Sequence, residues 1–220
     1  MSGVILFGGG GHAKVLIDAI HSHEEPLRCV IVDEDAETWD GEVLGVPVVG
    51  GDDRISELLQ EDFTRFVVAM GGLQQIHLRK RLFDEAVETG LEAWTVVHRR
   101  ATVSPFATIE AGAQLMAGCV VNPSAYIGLN TIINTNAVVE HDCVIGSHAH
   151  IAPSACLAGT VRVGDMAHVG AGAVVRENVT IGPRAIIGAG AVVVRDVPPD
   201  TVVVGVPAQK IRRSTECTPQ

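Results

Sequence analysis

From Val103 onward the chain carries Val, Ile or Leu at every sixth position without a slip: Val103, Ile109, Leu115, Val121, Ile127, Ile133, Val139, Ile145, Ile151, Leu157, Val163, Val169, Val175, Ile181, Ile187 and Val193. Two places before each stands a small or short side chain, from Ala101, Ala107 and Ala113 through Cys143 and Ala149 to Ala185 and Ala191. A strict period of six fits neither an α-helix nor a simple hairpin. It fits a coil of short strands that points one aliphatic residue inward per hexapeptide and turns at a small one, each rung burying its neighbour's apolar face. The code also accounts for the composition. Hydrophobic residues make up 47% of the 220 residues, yet there are only 5 Phe, 2 Trp and 1 Tyr, because such an inward position has little space for a ring.

The pattern resembles the hexapeptide-repeat, left-handed parallel β-helix acyltransferases, in which three hexapeptides make one triangular coil. The sixteen hexapeptides then give a little over five coils. Residues before this stretch follow another rule. Val4–Phe7 reads as a buried strand, Gly8–Gly11 as a glycine turn and Ala13–Ile20 as an amphipathic helix. Val30–Val32 is a second strand, and Val46–Val49 is at most a short edge strand because Pro47 cannot donate to a ladder. Ile55–Leu59 and Gln74–Glu88 read as helices, Phe66–Met70 and Ala93–Val97 as strands. The expected fold is therefore α/β plus β-solenoid: a small Rossmann-like parallel α/β domain over 1–98, followed by a left-handed β-helix with a C-terminal tail over 99–220.

Charge and cysteine content exclude several classes. The formal charge is -10 and there is no Lys/Arg block, so nucleic acid is not an expected partner. The acid is concentrated early: residues 1–100 carry 9 basic and 18 acidic side chains, the remainder 7 and 8. The start MSGVILFGGGGH lacks a basic leader, and no apolar run reaches about 18 residues, so the expectation is a cytoplasmic protein without a membrane span. Cys29, Cys119, Cys143, Cys156 and Cys217 are odd in number and lack CxxC spacing, which argues for reduced thiols and against a structural metal site.

Three features could carry chemistry. The first is Gly8-Gly9-Gly10-Gly11-His12-Ala13-Lys14 between strand and helix, where free backbone N–H groups and the helix dipole favour a phosphate, or where glycine merely serves a tight turn. Asp33, Glu34 and Asp35 end the second strand, where such folds hold a ribose or base. The second feature is Glu140-His141-Asp142, followed by His148 and His150. An imidazole can accept a proton at neutral pH, and a neighbouring carboxylate can orient it and stabilise the imidazolium; three surface histidines on a polar face are the alternative. His150 and His168 lie three hexapeptides apart and stack on one wall if a coil has that length. The third is the closing VVVGVPA with Lys210, Arg212 and Arg213, a seat for an anionic cofactor or a solubilising end.

Taken in order, the GGGGHAKV loop, the acidic turn, the string VVEHDCVIGSHAHIAPSACLAG and the closing VVVGVPA resemble the bacterial family of sialic acid O-acetyltransferases and nucleotide-linked amino-sugar N-acetyltransferases. The resemblance implies homotrimers that hold acetyl-CoA between adjacent β-helices and the nucleotide sugar on the N-terminal domain, without a metal. It implies His141 as general base, Asp142 as its orienting carboxylate (family members often have Glu there), His150 as a contact near the thioester and Gly159 as a donor to the thioester carbonyl. Gly10, Gly11 and His12 would cradle the diphosphate, Asp33 and Asp35 would meet the nucleoside, and Lys210 and Arg212 would bind coenzyme A. The implied activity is N-acetylation of a UDP- or GDP-linked amino sugar in surface glycan biosynthesis. Sialic acid O-acetylation and a non-catalytic nucleotide-binding solenoid are the alternatives.

Overall fold

Gly3-Val4-Ile5-Leu6-Phe7 is buried over its whole length, and it forms β1, an interior strand of a small parallel sheet. The computed structural model describes residues 2–24 and 27–213, and the chain divides into two units, Met1–Arg99 and Arg100–Gln220. In the first unit β1 (Gly3–Phe7) lies between β2 (Cys29–Val32) and, beyond a separate hairpin of β3 (Glu42–Val43) and β4 (Val46–Pro47), β5 (Phe63–Val68). The short β6 (Glu92–Ala93) completes the order β2-β1-β5-β6. Helices α1 (Gly11–His21), α2 (Ile55–Gln60) and α3 (Ile76–Glu88) complete the Rossmann-like arrangement. The order reverses between β1 and β5, so their carboxyl ends open the crevice where α/β sheets of this kind take ligands.

This unit has an aromatic core. Phe66 packs edge-on against Phe7 at 5.8 Å and tilted against Phe83 at 5.3 Å, with Ile5, Val32, Val68 and Leu91 around them. Arg79 on α3 is buried beside it and donates through Nη1 to the carbonyls of Val68 (2.7 Å) and Met70 (2.8 Å), tying down the end of β5. Burial alone pulls its guanidinium down to about 9.

The second unit contains sixteen consecutive two-residue strands, from Thr102–Val103 to Val192–Val193, stacked in three parallel walls. Val138–Val139 and Cys156–Leu157 belong to the first wall, Val144–Ile145 and Arg162–Val163 to the second, His150–Ile151 and His168–Val169 to the third. Partners along a wall are three hexapeptides apart. The second residue of each strand points inward: from Leu115 to Val193 every one is at most 3% exposed, while Val103 and Ile109 in the opening coil are half-buried. The period breaks only after Val193. Val197 bridges Ile181 and Val203 pairs with Ile187, so the last coil is shorter than those before it, and Gln209–Arg213 then closes the third wall as an antiparallel strand.

Fourteen consecutive corners, from Gly112 to Gly190, are held by a residue of positive φ three places after the inward one. Gly112, Gly118, Gly172 and Gly190 fill four of these places, and Ser124, Asn130, Asn136, Asp142, His148, Ser154, Thr160, Met166, Asn178 and Arg184 fill others at φ between 52° and 62°. Glycine, Asn and Asp enter this region at low cost, whereas a β-branched or long residue such as Thr160 or Met166 loses roughly 1–2 kcal/mol. The inward stack supplies the compensation, since burying a Val, Leu or Ile contributes roughly 1.5–3 kcal/mol. Replacing Ile145 by Ala, in mid-stack and fully buried, is expected to lower unfolding stability by about 2–5 kcal/mol, measured by urea denaturation.

Candidate active site

His141 and Asp142 occupy the corner that joins the first wall to the second. Asp142 adopts φ 59°, and this left-handed turn folds its short side chain back so that Oδ2 accepts from His141 Nδ1 at 2.7 Å. An Asp suits this position better than a longer acid, because it is among the few residue types that tolerate positive φ. Both side chains are more than half exposed, so the pair adds little to stability. Its consequence is chemical: with the proton held on Nδ1, Nε2 keeps its lone pair. The backbone N–H of His141 donates to Glu140 Oε2 at 3.3 Å, and its carbonyl accepts from Thr160 N at 2.9 Å, fixing the residue from both sides.

Gly159 lies one strand further along the same corner. A Cβ there would stand 2.7 Å from both Cε1 and Nε2 of His141, so the imidazole rests directly on the glycine and leaves no room for a side chain. Its carbonyl accepts from Asn178 N and Thr160 Oγ1, while its amide N–H has no hydrogen-bond partner among the described residues. An imidazole with an open Nε2 and an unused backbone donor thus share one corner.

His150 is not part of that corner. It stands on the third wall, 8% exposed, and the corner between the other two walls faces away from that wall across the packed core. Its ring is held from both neighbouring strands. Asn134 Oδ1 accepts from Thr135 N, which turns the amide so that Nδ2 donates to His150 Nε2 at 3.0 Å. On the other side lies His168, ring centroids 5.0 Å apart and nearly perpendicular, as the spacing of three hexapeptides predicts. His148 sits at the next corner, buried, with Asn130 Nδ2 at 3.1 Å from its Nδ1. Lys210 is exposed on the closing strand; Arg212 pairs there through its backbone with Val202, and its side chain lies outside the described part.

In the first unit Gly10 is the N-cap of α1 and Gly11 its first residue. A Cβ on either would meet nothing within 4 Å, and neither amide has a partner among the described residues, so both face open space. Helix α1 thus starts at Gly11, ahead of the Ala13 that the apolar pattern indicates. The ring of His12 lies over Gly71, within 3.0 Å of where a Cβ would be. Asp33 builds this loop: Oδ2 accepts from Gly9 N at 2.6 Å and Oδ1 from Asp35 N at 2.9 Å. Asp35 in turn caps a short turn by accepting from Glu37 N at 3.0 Å.

A cavity of about 170 Å³ that no sequence pattern announces lies beside this loop, lined by Phe7, Val32, Met70 and Leu82 together with Glu34, Asp52, Arg81 and Glu85. Burial, with Glu85 and Glu34 nearby, raises the Asp52 carboxyl above the ordinary range. The lining comes from five separate segments and has no local signal.

Comparison with known proteins bears on this arrangement. Residues 3–86 match the PglD N-terminal domain family and residues 160–195 the bacterial transferase hexapeptide family. The structure of PerB from Caulobacter crescentus, in complex with CoA and GDP-perosamine, is 41% identical with a TM-score of 0.90, covering 96% of this chain and 98% of that one. The H141N mutant of perosamine N-acetyltransferase from the same organism, also with CoA and GDP-perosamine, gives 41%, 0.89 and the same coverage. The acetyltransferase domain of PglB from Neisseria gonorrhoeae FA1090, in complex with acetyl coenzyme A, is 34% identical with a TM-score of 0.88, covering 94% and 98%. The chain belongs to the hexapeptide-repeat sugar acetyltransferases of bacteria. A search of curated proteins gave no match. As in others of this family, the solenoid is a left-handed β-helix.

For this acetyltransferase the thiols matter as alternative nucleophiles. Cys143 is buried, donates through Sγ to the carbonyl of Ala158 at 3.2 Å, and burial pushes its thiol up to about 11. That disfavours the thiolate an acyl-enzyme would need. Cys156 is half-buried on the outer face of the first wall, in line with Val138 and Val174.

Two outcomes are expected. Gly159→Ala displaces the imidazole while leaving the inward stack intact, so the His141 ring resonances shift in NMR with little change in Tm. Burial lowers the His168 imidazole to about 4. The unfolded chain therefore binds a proton that the folded one does not as pH falls from the ordinary histidine range towards 4, and stability is lost over that interval. His168→Ile should reduce the difference in urea stability between pH 7 and pH 4.5.

Proposed function

We propose that this enzyme transfers acetyl from acetyl-CoA to the amino group of a nucleotide-linked amino sugar, with His141 as general base. The observation that carries the reading is the His141 imidazole, held at Nδ1 by Asp142 and resting on Gly159 with Nε2 available. His141 Nε2 removes a proton from the attacking ammonium or from the tetrahedral intermediate, and the nitrogen lone pair attacks the thioester carbonyl. The Gly159 N–H stabilises the oxyanion, and collapse expels the coenzyme A thiolate, which the imidazolium reprotonates. Asp142 holds the tautomer and stabilises the transient imidazolium. The N-acetylated sugar nucleotide and free coenzyme A leave.

The relatives support this assignment. The C. crescentus structures contain CoA with GDP-perosamine, the N. gonorrhoeae domain contains acetyl coenzyme A, and His141 bears the same number as the histidine replaced in the H141N structure. In this reading the amides of Gly10 and Gly11 at the start of α1, with His12, take the diphosphate. Asp33 shapes that loop and Asp35 meets the nucleoside, a guanosine or uridine. Lys210 and Arg212 receive the coenzyme A phosphates. The reaction belongs to surface glycan biosynthesis and runs in the cytoplasm, where acetyl-CoA and nucleotide sugars are made.

The separation of His150 from His141 within one chain supports a homotrimer. Bringing the third wall of one copy to the His141 corner of the next would let His150 reach a thioester that His141 also serves. Light scattering should give a trimer. Mixed trimers of two separately impaired variants, His141→Ala and His150→Ala, should regain activity, because some sites combine an intact residue from each copy; unrestored activity would place the whole site within one chain. His141→Ala or His141→Asn is expected to lower kcat by about 10²–10⁴ in an assay of coenzyme A release with GDP- and UDP-linked amino sugars. Near-wild-type turnover would remove His141 as the base, and acetylation of sialic acid alone would favour the O-acetyltransferase reading.

A further inference from the structure

Along the outer face of the third wall the register aligns Ile132, His150, His168, Ile186 and Val202 in one column. Three of these five are aliphatic, and an aliphatic residue would also satisfy the packing at 168. The imidazole there carries a cost that Ile would not. Its Nδ1 is shut off from solvent without a hydrogen-bond partner among the described residues, a situation that costs roughly 1–3 kcal/mol. A shielded lone pair is tolerated better than a shielded N–H, since orphaned buried N–H groups are the rarer kind. The ring proton is therefore on Nε2, the nitrogen not shut off from solvent in this half-buried residue. Because burial keeps the imidazole uncharged down to about pH 4, it presents a neutral donor throughout the working range.

The position selects what that donor meets. His168 is one strand beyond His150, a step of about 4.8 Å along the wall. Four such steps, about 19 Å in all, lead from His150 to the closing strand with Lys210 and Arg212. If His150 meets the thioester and the cations meet the phosphates, the pantetheine arm of acetyl-CoA runs along this column. The first polar group after the sulfur is an amide, two methylenes away, and its carbonyl is an acceptor about one strand spacing from the thioester. We propose that His168 is a binding residue for the acyl donor, its Nε2–H donating to the carbonyl of the amide nearest the sulfur of acetyl-CoA. This rests on the reading of His150 as the thioester contact.

The test compares two minimal acyl donors, S-acetyl-N-acetylcysteamine, which carries that amide, and S-ethyl thioacetate, which lacks it. Wild-type enzyme is expected to prefer the amide-bearing donor by about tenfold in kcat/KM, the worth of one neutral hydrogen bond. His168→Phe should abolish the preference and His168→Gln, which restores an N–H donor, should recover part of it. The ratio is taken within each variant, so loss of folded enzyme cancels. A wild-type preference retained in His168→Phe would overturn the assignment. His150→Ala separates the two readings: unchanged kcat/KM for both donors would remove His150 from the thioester, and this proposal with it. A loss in His150→Ala alongside an unaltered ratio in His168→Phe would overturn the His168 assignment alone.

Discussion

One inward aliphatic side chain per six residues is the constraint on which the rest of the second unit depends. It closes a coil every three hexapeptides, and the corners from Gly112 to Gly190 turn through positive φ. Positions one coil apart in sequence thereby become neighbours across one strand spacing. Four close relationships around the candidate site have this interval: Gly159 under His141, His168 against His150, Asn130 with His148, Thr160 with Asn178. The chemistry is arranged as columns, and a residue's role follows from what stands one coil before and after it. The hydrophobic stack is strong enough to hold Thr160 and Met166 in a backbone region they disfavour.

The first unit solves a different problem. Its core uses Phe7, Phe63, Phe66 and Phe83, which leaves the solenoid only Phe106 and Tyr126, both outside the stack. An acidic unit must offer an anion something other than side-chain cations, and the open amides of Gly10 and Gly11 at a helix start are such an offer. Asp33 and Arg79 serve that geometry from behind. One binds the loop amides and the other the carbonyls at the end of β5, so each charge is consumed by backbone and shapes the crevice.

Much of this was legible in the chain. The period specified the inward residues; the family resemblance it carries supplied the three-hexapeptide coil, and with that length the contact between His150 and His168 followed, because repetition converts sequence distance into spatial distance. His141 and Asp142 were recognisable as a pair because they are adjacent. The corner column of Gly, Asn, Asp and Ser was also written in the sequence at the same period, and it explains why Asp stands at 142, but polar residues at a turn draw less notice than an unbroken aliphatic series. Arg79, the engagement of Asp33 by Gly9, and the cavity rimmed by Asp52 and Glu85 left no such trace. They arise where segments far apart in the chain meet, and no local pattern records the meeting.

The sequence by itself therefore determined the solenoid, its inward face, the Rossmann-like alternation before it and the identity of the histidine–carboxylate pair, since each depends on periodicity or adjacency. Only the tertiary structure decided orientation. It set the imidazole of His141 on Gly159 with Nε2 open, turned the Asp33 carboxylate to the backbone, left the Nδ1 of His168 shielded, and put His150 on a wall that faces away from His141. Direction is decided by corner geometry and by contacts across the coils, which a linear pattern does not contain.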